Sequence, residues 1–76
     1  MTDYEVDELV RTLQSHGALT RAALLEYSGA RLWAAGTFEY ALRRGTAAGS
    51  IRELEADLFE VGDDAPDLSE GKFDPA

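Results

Sequence analysis

Seventy-six residues, no cysteine and a formal net charge of −8 set the bounds on this chain. Roughly 60 ordered residues bury only about 60% of the surface their unfolded chain exposes, so one small domain is expected. Without cysteine, neither a disulfide nor a thiolate metal site can supplement its core. The acidic balance disfavours non-specific attraction to nucleic acid or anionic membranes. No apolar run approaches the roughly 18 residues of a membrane span.

The N-terminus, Met1-Thr2-Asp3-Tyr4-Glu5, is acidic where a secretory leader would be basic and then apolar, so a cytoplasmic location is expected. The chain has no Asn and a single Lys, Lys72, against six Arg. Such a composition is similar to that of proteins from salt-in halophilic archaea. A GC-rich coding sequence would produce the same arginine bias. The distinction matters because salt at 1 M shortens electrostatic reach to about 3 Å.

In chain order, Asp3 to His16 is the first predicted helix. Val6, Leu9, Val10 and Leu13 recur at i, i+3, i+4 and i+7, on one helical face. Asp3, Glu5, Asp7 and Glu8 lie at its start, where the helix dipole favours negative charge. Arg11 and His16 lie toward its end, and Gly17 is the expected stop. Ala18-Leu19 reads as a short extended link with Leu19 buried. Thr20 has the hydroxyl of an N-cap, and Arg21 to Tyr27 forms a short second helix that Ser28-Gly29 ends. Seven or eight residues do not hold a helix alone, so its neighbours must support it.

Ala30 to Gly36 connects to the third helix, and Leu32 and Trp33 are expected to pack over the gap between the second and third helices. Thr37 repeats the cap chemistry of Thr20. Phe38, Ala41, Leu42 and Gly45 form the buried stripe of the third helix. Gly45 there costs about 1 kcal/mol relative to Ala, which suggests a close helix crossing or an early end to the helix. Gly49 breaks the helix. Ser50 to Leu54 and Leu58 to Val61 then read as a β-hairpin around Glu55-Ala56-Asp57. A bulge is expected near Glu53, because Ile51 and Leu54 are out of alternation. Residues 1–61 are read as the domain. Residues 62–76, acidic and carrying both prolines, are read as a disordered tail in which Leu68 and Phe73 are the side chains able to dock.

The order of elements resembles the winged helix-turn-helix: a mainly α fold of three helices with a small β-hairpin. Gly17-Ala18-Leu19-Thr20-Arg21 leads the second helix, Trp33-Ala34-Ala35-Gly36-Thr37-Phe38 leads the third, and Ala48-Gly49-Ser50-Ile51-Arg52-Glu53-Leu54 turns into the wing. Asp57-Leu58-Phe59-Glu60-Val61 looks like the returning strand. Such domains serve as DNA readers and as protein-interaction modules. In the DNA readers the third helix enters the major groove and the wing touches backbone or minor groove. Transferred to this chain, the resemblance implies Glu39, Tyr40, Arg43, Arg44 and Ala47 on the reading face, with Arg52, Glu53, Glu55 and Asp57 on the wing.

Charge distribution pulls both ways. From Arg11 to Arg52 the net charge is +4, and from Glu53 to Ala76 it is −8. Every arginine thus lies where such a frame meets DNA or leads into it, and cations that displace counterions carry much of DNA affinity. The wing, with Glu53, Glu55, Asp57 and Glu60, opposes phosphate contact. The leading expectation is a transcriptional regulator that binds double-stranded DNA. In it Tyr40, Arg43 and Arg44 face the groove while Arg21, Arg31 and Arg52 sit on phosphates. The alternative is an acidic interaction module, its partner a protein and its arginines paired internally. Arg43 then has Glu39 as its i,i+4 partner. A homodimer through Phe38, Tyr40 and the wing is a third option.

Nothing in the chain reads as an enzyme. His16 has no companion ligands, the serines have no catalytic partners in register, and no glycine spacing matches a phosphate loop. The cluster Asp63-Asp64-Ala65-Pro66-Asp67 lacks the ligand spacing of a calcium loop. No cofactor or metal is expected.

Overall fold

The computed structural model describes residues 4–65. Three helices carry a small antiparallel sheet. In order they are α1 (Tyr4–His16), β1 (Leu19–Thr20), α2 (Arg21–Ser28), a 3-10 turn (Ala30–Leu32), α3 (Thr37–Ala48), β2 (Ile51–Glu55) and β3 (Leu58–Val61). The strands lie in the order β1-β3-β2, so the returning strand of the hairpin is central. Leu19 pairs with Phe59 and Thr20 with Leu58. The link between the first two helices is therefore a third strand. It ties α2 to the hairpin and gives the two-stranded ribbon, marginal alone, a second edge.

The apolar stripes meet in one core. Val6, Leu9, Val10 and Leu13 of α1 pack with Leu24 of α2, with Phe38, Ala41 and Leu42 of α3, and with Ile51 and Phe59 of the hairpin. Thr12 shares the buried side of α1, and its hydroxyl donates to the Glu8 carbonyl at 2.8 Å. The i−4 carbonyl thus satisfies a polar group that burial would otherwise penalise. Across the helix ends, the rings of His16 and Tyr27 stack at 4.5 Å and 8°, which fastens the end of α1 to α2.

Helix boundaries follow local chemistry with one exception. Thr20 is extended, and its hydroxyl accepts from the Ala23 amide at 3.2 Å, capping α2 as expected. Gly29 stops that helix with a φ of 80°. Thr37, however, does not cap α3. The cap is Gly36, at φ 85°, with no side-chain hydrogen bond. The Thr37 amide bonds the Ala34 carbonyl, and the Gly36 carbonyl accepts from Tyr40. The turn that admits the chain to α3 needs a left-handed residue, which glycine adopts without steric cost. Thr37 is thereby moved inside the helix.

Leu32 is 91% exposed, contrary to the expectation that it packs between helices. Three residues per turn in a 3-10 helix eclipse positions i and i+3. Ala30 and Trp33 share the inward side, and Leu32 falls on the other.

Gly45 marks a close approach, made by a strand. A Cβ built there would lie 2.6 Å from Cδ1 and 3.1 Å from Cγ1 of Ile51, and 3.5 Å from Cγ1 of Val6. The missing side chain lets β2 and α1 close on α3. In the hairpin, Glu53 pairs with Phe59 and Glu55 with Leu58, so the bulge falls at Leu54, next to the expected position. Asp57 takes a positive φ of 63° in the connecting turn.

Residues 62–65, assigned to the tail on composition, run back against the end of α3. The Gly62 amide donates to the Ser50 carbonyl at 2.8 Å, and the Asp64 amide to the Gly49 carbonyl at 3.0 Å. Ala65 packs on the core. The rest of the expected tail, with Leu68 and Phe73, lies outside the described residues.

Candidate interaction face on the third helix

The spacing that buries one side of α3 determines what the other side offers. Phe38, Ala41, Leu42 and Gly45 face inward. Tyr40, Arg43, Arg44 and Ala47 then form a second stripe at i, i+3, i+4 and i+7, all exposed. Tyr40 is 49% exposed, and the Arg44 guanidinium lies 5.8 Å from the centre of its ring. That distance places one arginine over an aromatic face, within cation–π range. Arg43 makes no ion pair with any described residue. It borders an open cleft of about 210 Å3 between α3 and the sheet, lined by Arg21, Glu39, Leu42, Arg43, Thr46, Glu53 and Phe59.

The other three arginines expected to touch DNA are engaged elsewhere. Arg21 begins α2, where the helix dipole disfavours a cation, and two carboxylates compensate. Its Nη1 donates to Glu39 of α3, and its Nε to Asp57 at 3.2 Å. Its backbone amide also bonds the Asp57 carbonyl at 2.8 Å, and its guanidinium lies 5.9 Å from the centre of the Phe59 ring. One side chain therefore joins α2, α3 and the hairpin turn. Glu39, above all, holds the Arg21 guanidinium charged beyond its usual range; burial opposes this, and Asp57 reinforces it.

Arg52 sits opposite Glu60 in the β2–β3 register. Glu60 accepts from both its Nε and its Nη2. Asp63 stands 4.0 Å away. Glu60 is the main reason this guanidinium too is held above its ordinary pKa. Arg31 donates to Glu26 at 2.9 Å, between the 3-10 turn and the end of α2.

These pairings and the burial of α3 bear on three sequence expectations. Glu39 does not serve Arg43 one turn away; its carboxylate is taken by Arg21. Arg21, Arg31 and Arg52 are each matched with acid, and Arg21 lines the same cleft as Arg43. Phe38 is 8% exposed and belongs to the core, so it is not available for a dimer contact. Tyr40, Arg43 and Arg44 are the three site residues that the fold brings together on one outward face.

The hairpin keeps its acid. Glu53, Glu55 and Asp57 are exposed around the turn, and Glu53 accepts from the Asp57 amide at 3.1 Å, which stabilises the left-handed residue. Sequence reasoning found these acids but missed the Arg21 link to Asp57, 36 positions away. The signal was Arg21 itself, a cation at a helix N-terminus, which needs a carboxylate partner. No helix of the described residues is long and apolar enough to cross a membrane. No family model, curated protein or solved structure matches this chain.

Proposed function

We propose that the chain is a winged helix-turn-helix domain acting as a protein-interaction module, with the outward stripe of α3 as its contact face. The order of three helices and a returning hairpin supports the frame. The observation that carries the functional reading is the pairing of Arg21 and Arg52 with Glu39, Asp57 and Glu60. Phosphate contact by either arginine must first break carboxylate pairs, and the acids released would then stand beside DNA. The outward stripe of α3 offers Tyr40, with Arg44 against its ring, and Arg43. Exposed tyrosine and arginine are frequent interface anchors. Their charge selects an acidic partner segment that carries an apolar side chain for the Tyr40 ring.

A second reading keeps double-stranded DNA as the partner and the chain as a transcriptional regulator. One observation favours it: Arg43 and Arg44 are exposed on one helix, and a single guanidinium fork is the group that reads guanine in a major groove.

A photoreactive side chain at position 40 separates the two. With Tyr40→benzoylphenylalanine introduced in cells, the module reading predicts discrete protease-sensitive adducts that Arg43→Glu abolishes. Nuclease-sensitive adducts would transfer the face to DNA.

A further inference from the structure

The cleft between α3 and the sheet holds charges of both signs in a small space. Arg21, Arg43, Glu39, Glu53 and Thr46 line it together with Leu42 and Phe59. Leu42 and Phe59 are nearly buried, so they make an apolar floor and the polar side chains make the walls. A volume of about 210 Å3 is room for about seven waters at about 30 Å3 each. That is below the roughly 300 Å3 at which small-molecule pockets usually begin. Size alone therefore excludes a nucleotide and leaves a molecule of a handful of heavy atoms.

The lining groups are held by contacts that leave particular atoms uncommitted. Arg21 donates from Nη1 to Glu39 and from Nε to Asp57, and the centre of the Phe59 ring lies 5.9 Å from its guanidinium. Its Nη2 has no partner among the described residues, and neither has the guanidinium of Arg43. Glu53 accepts from the Asp57 amide through Oε2 at 3.1 Å, which anchors the carboxylate and leaves Oε1. The Thr46 hydroxyl donates to the Arg43 carbonyl at 2.9 Å and keeps its lone pairs as acceptors. Arg43 and Glu53 thus border one cleft with opposite charge and do not pair with each other.

The balance of sign selects the ligand. A bare anion would meet Glu39 and Glu53, and a bare cation would meet Arg21 and Arg43. A molecule that carries both charges can turn each toward its opposite. We propose that the cleft binds a small zwitterionic α-amino acid. Its carboxylate takes the fork of Arg43, which matches two carboxylate oxygens with parallel N–H donors, and Arg21 Nη2 is the second donor. Its ammonium takes Glu53 Oε1 and the Thr46 hydroxyl, and a short aliphatic side chain turns toward Leu42 and Phe59. Glu39 is the lining group that opposes the carboxylate, and its ion pair with Arg21 offsets that charge. The site goes beyond the contact-face reading and is independent of whether α3 meets a protein or DNA.

The test is an NMR titration of the full chain with L-alanine, read at the backbone amides, with propionate and ethylamine at matched ionic strength as its two half-ligands. The proposal predicts saturable shifts at Leu42, Arg43, Thr46, Glu53 and Phe59, with none at Val10 or Leu13 of α1. Each half-ligand should bind at least about threefold more weakly, the scale of one exposed charge contact. Arg43→Gln should bring L-alanine down to the level of ethylamine, and Glu53→Gln should bring it down to that of propionate. Both positions are exposed, and Gln at position 53 keeps an oxygen for the Asp57 amide, so unchanged α1 amides should report an intact fold in each variant. Propionate or ethylamine matching L-alanine on the unaltered protein would overturn the proposal, since one charge would then suffice. So would the absence of saturable shifts at the cleft, or shifts scattered over the surface.

Discussion

Replacing Gly45 by Ala sets helix propensity against packing. In an exposed helix interior the change stabilises by about 1 kcal/mol. Here the new methyl would lie 2.6 Å from Ile51 Cδ1 and 3.1 Å from its Cγ1. Ile51 is 2% exposed, so its side chain has little room to withdraw. Overpacking of this kind typically costs 1 to 3 kcal/mol, about what one extra buried methyl demands of its surroundings. The sum is a net loss of roughly 0 to 2 kcal/mol, or a melting temperature lowered by up to about 16 °C at about 4 to 8 °C per kcal/mol in a domain of this size. Ile51→Val removes the offending Cδ1 and alone costs about 0.5 to 1.5 kcal/mol. Combined with Gly45→Ala it should cost about 1 kcal/mol less than the two separate losses together, the sign of a shared contact. Urea unfolding followed by the fluorescence of Trp33, the single tryptophan, measures all four proteins. If Gly45→Ala raised stability by the full propensity increment, β2 would not lie on α3 as described.

Three further outcomes follow from the same contacts. Thr20→Ala removes the acceptor for the Ala23 amide and should cost about 1 kcal/mol in the same urea titration; no change would mean that water replaces the cap. Arg21→Gln loses two exposed ion pairs, each worth about 0.2 to 1 kcal/mol. Its loss should therefore stay below about 2 kcal/mol and shrink toward zero near 1 M salt. A salt-independent loss would place the contribution in packing on Phe59. Arg21 and Arg52 have pKa values raised in the folded state. The stability this supplies is fully present below the unfolded-state pKa and is lost only as pH rises through the folded one. Both lie far above neutrality, so these pairs should leave the melting temperature flat between roughly pH 7 and 9; a variant lacking both arginines should show the same pH profile, and a divergence would refute the assignment.

The helical half of the fold was legible because burial imposes a period. Val6, Leu9, Val10 and Leu13, and again Phe38, Ala41, Leu42 and Gly45, recur at helical spacing and are buried. Thr20 was legible because its cap is local chemistry. What escaped was decided by tertiary geometry. Leu19-Thr20 becomes a strand only because β3 lies beside it. Gly36 displaces Thr37 as the cap because the entering turn needs a left-handed residue. Leu32 turns outward because a 3-10 turn places it opposite Ala30 and Trp33.

The site was legible in half. The stripe of Tyr40, Arg43 and Arg44 could be read from the same period as the core, displaced to the opposite side of the helix. The fate of Arg21, Arg31 and Arg52 could not, since a surplus of acids offers each several partners and only the fold selects among them. Glu39 shows this best: one turn from Arg43 in the helix, it is nonetheless held by Arg21 from another helix.

The most direct test of these internal pairs is the salt dependence of binding to duplex DNA, measured by fluorescence anisotropy between 50 and 200 mM salt. Each phosphate contact contributes about −0.9 to the slope of log K against log salt, so Arg21, Arg31 and Arg52 on phosphates would add about −2.7, and all five arginines counted as such contacts about −4.5. With Arg21, Arg31 and Arg52 committed to carboxylates, the account predicts no titratable binding, or a slope no steeper than the roughly −1.8 of two phosphate contacts. A slope near −4.5 would mean that the pairs open for DNA, and would contradict the account.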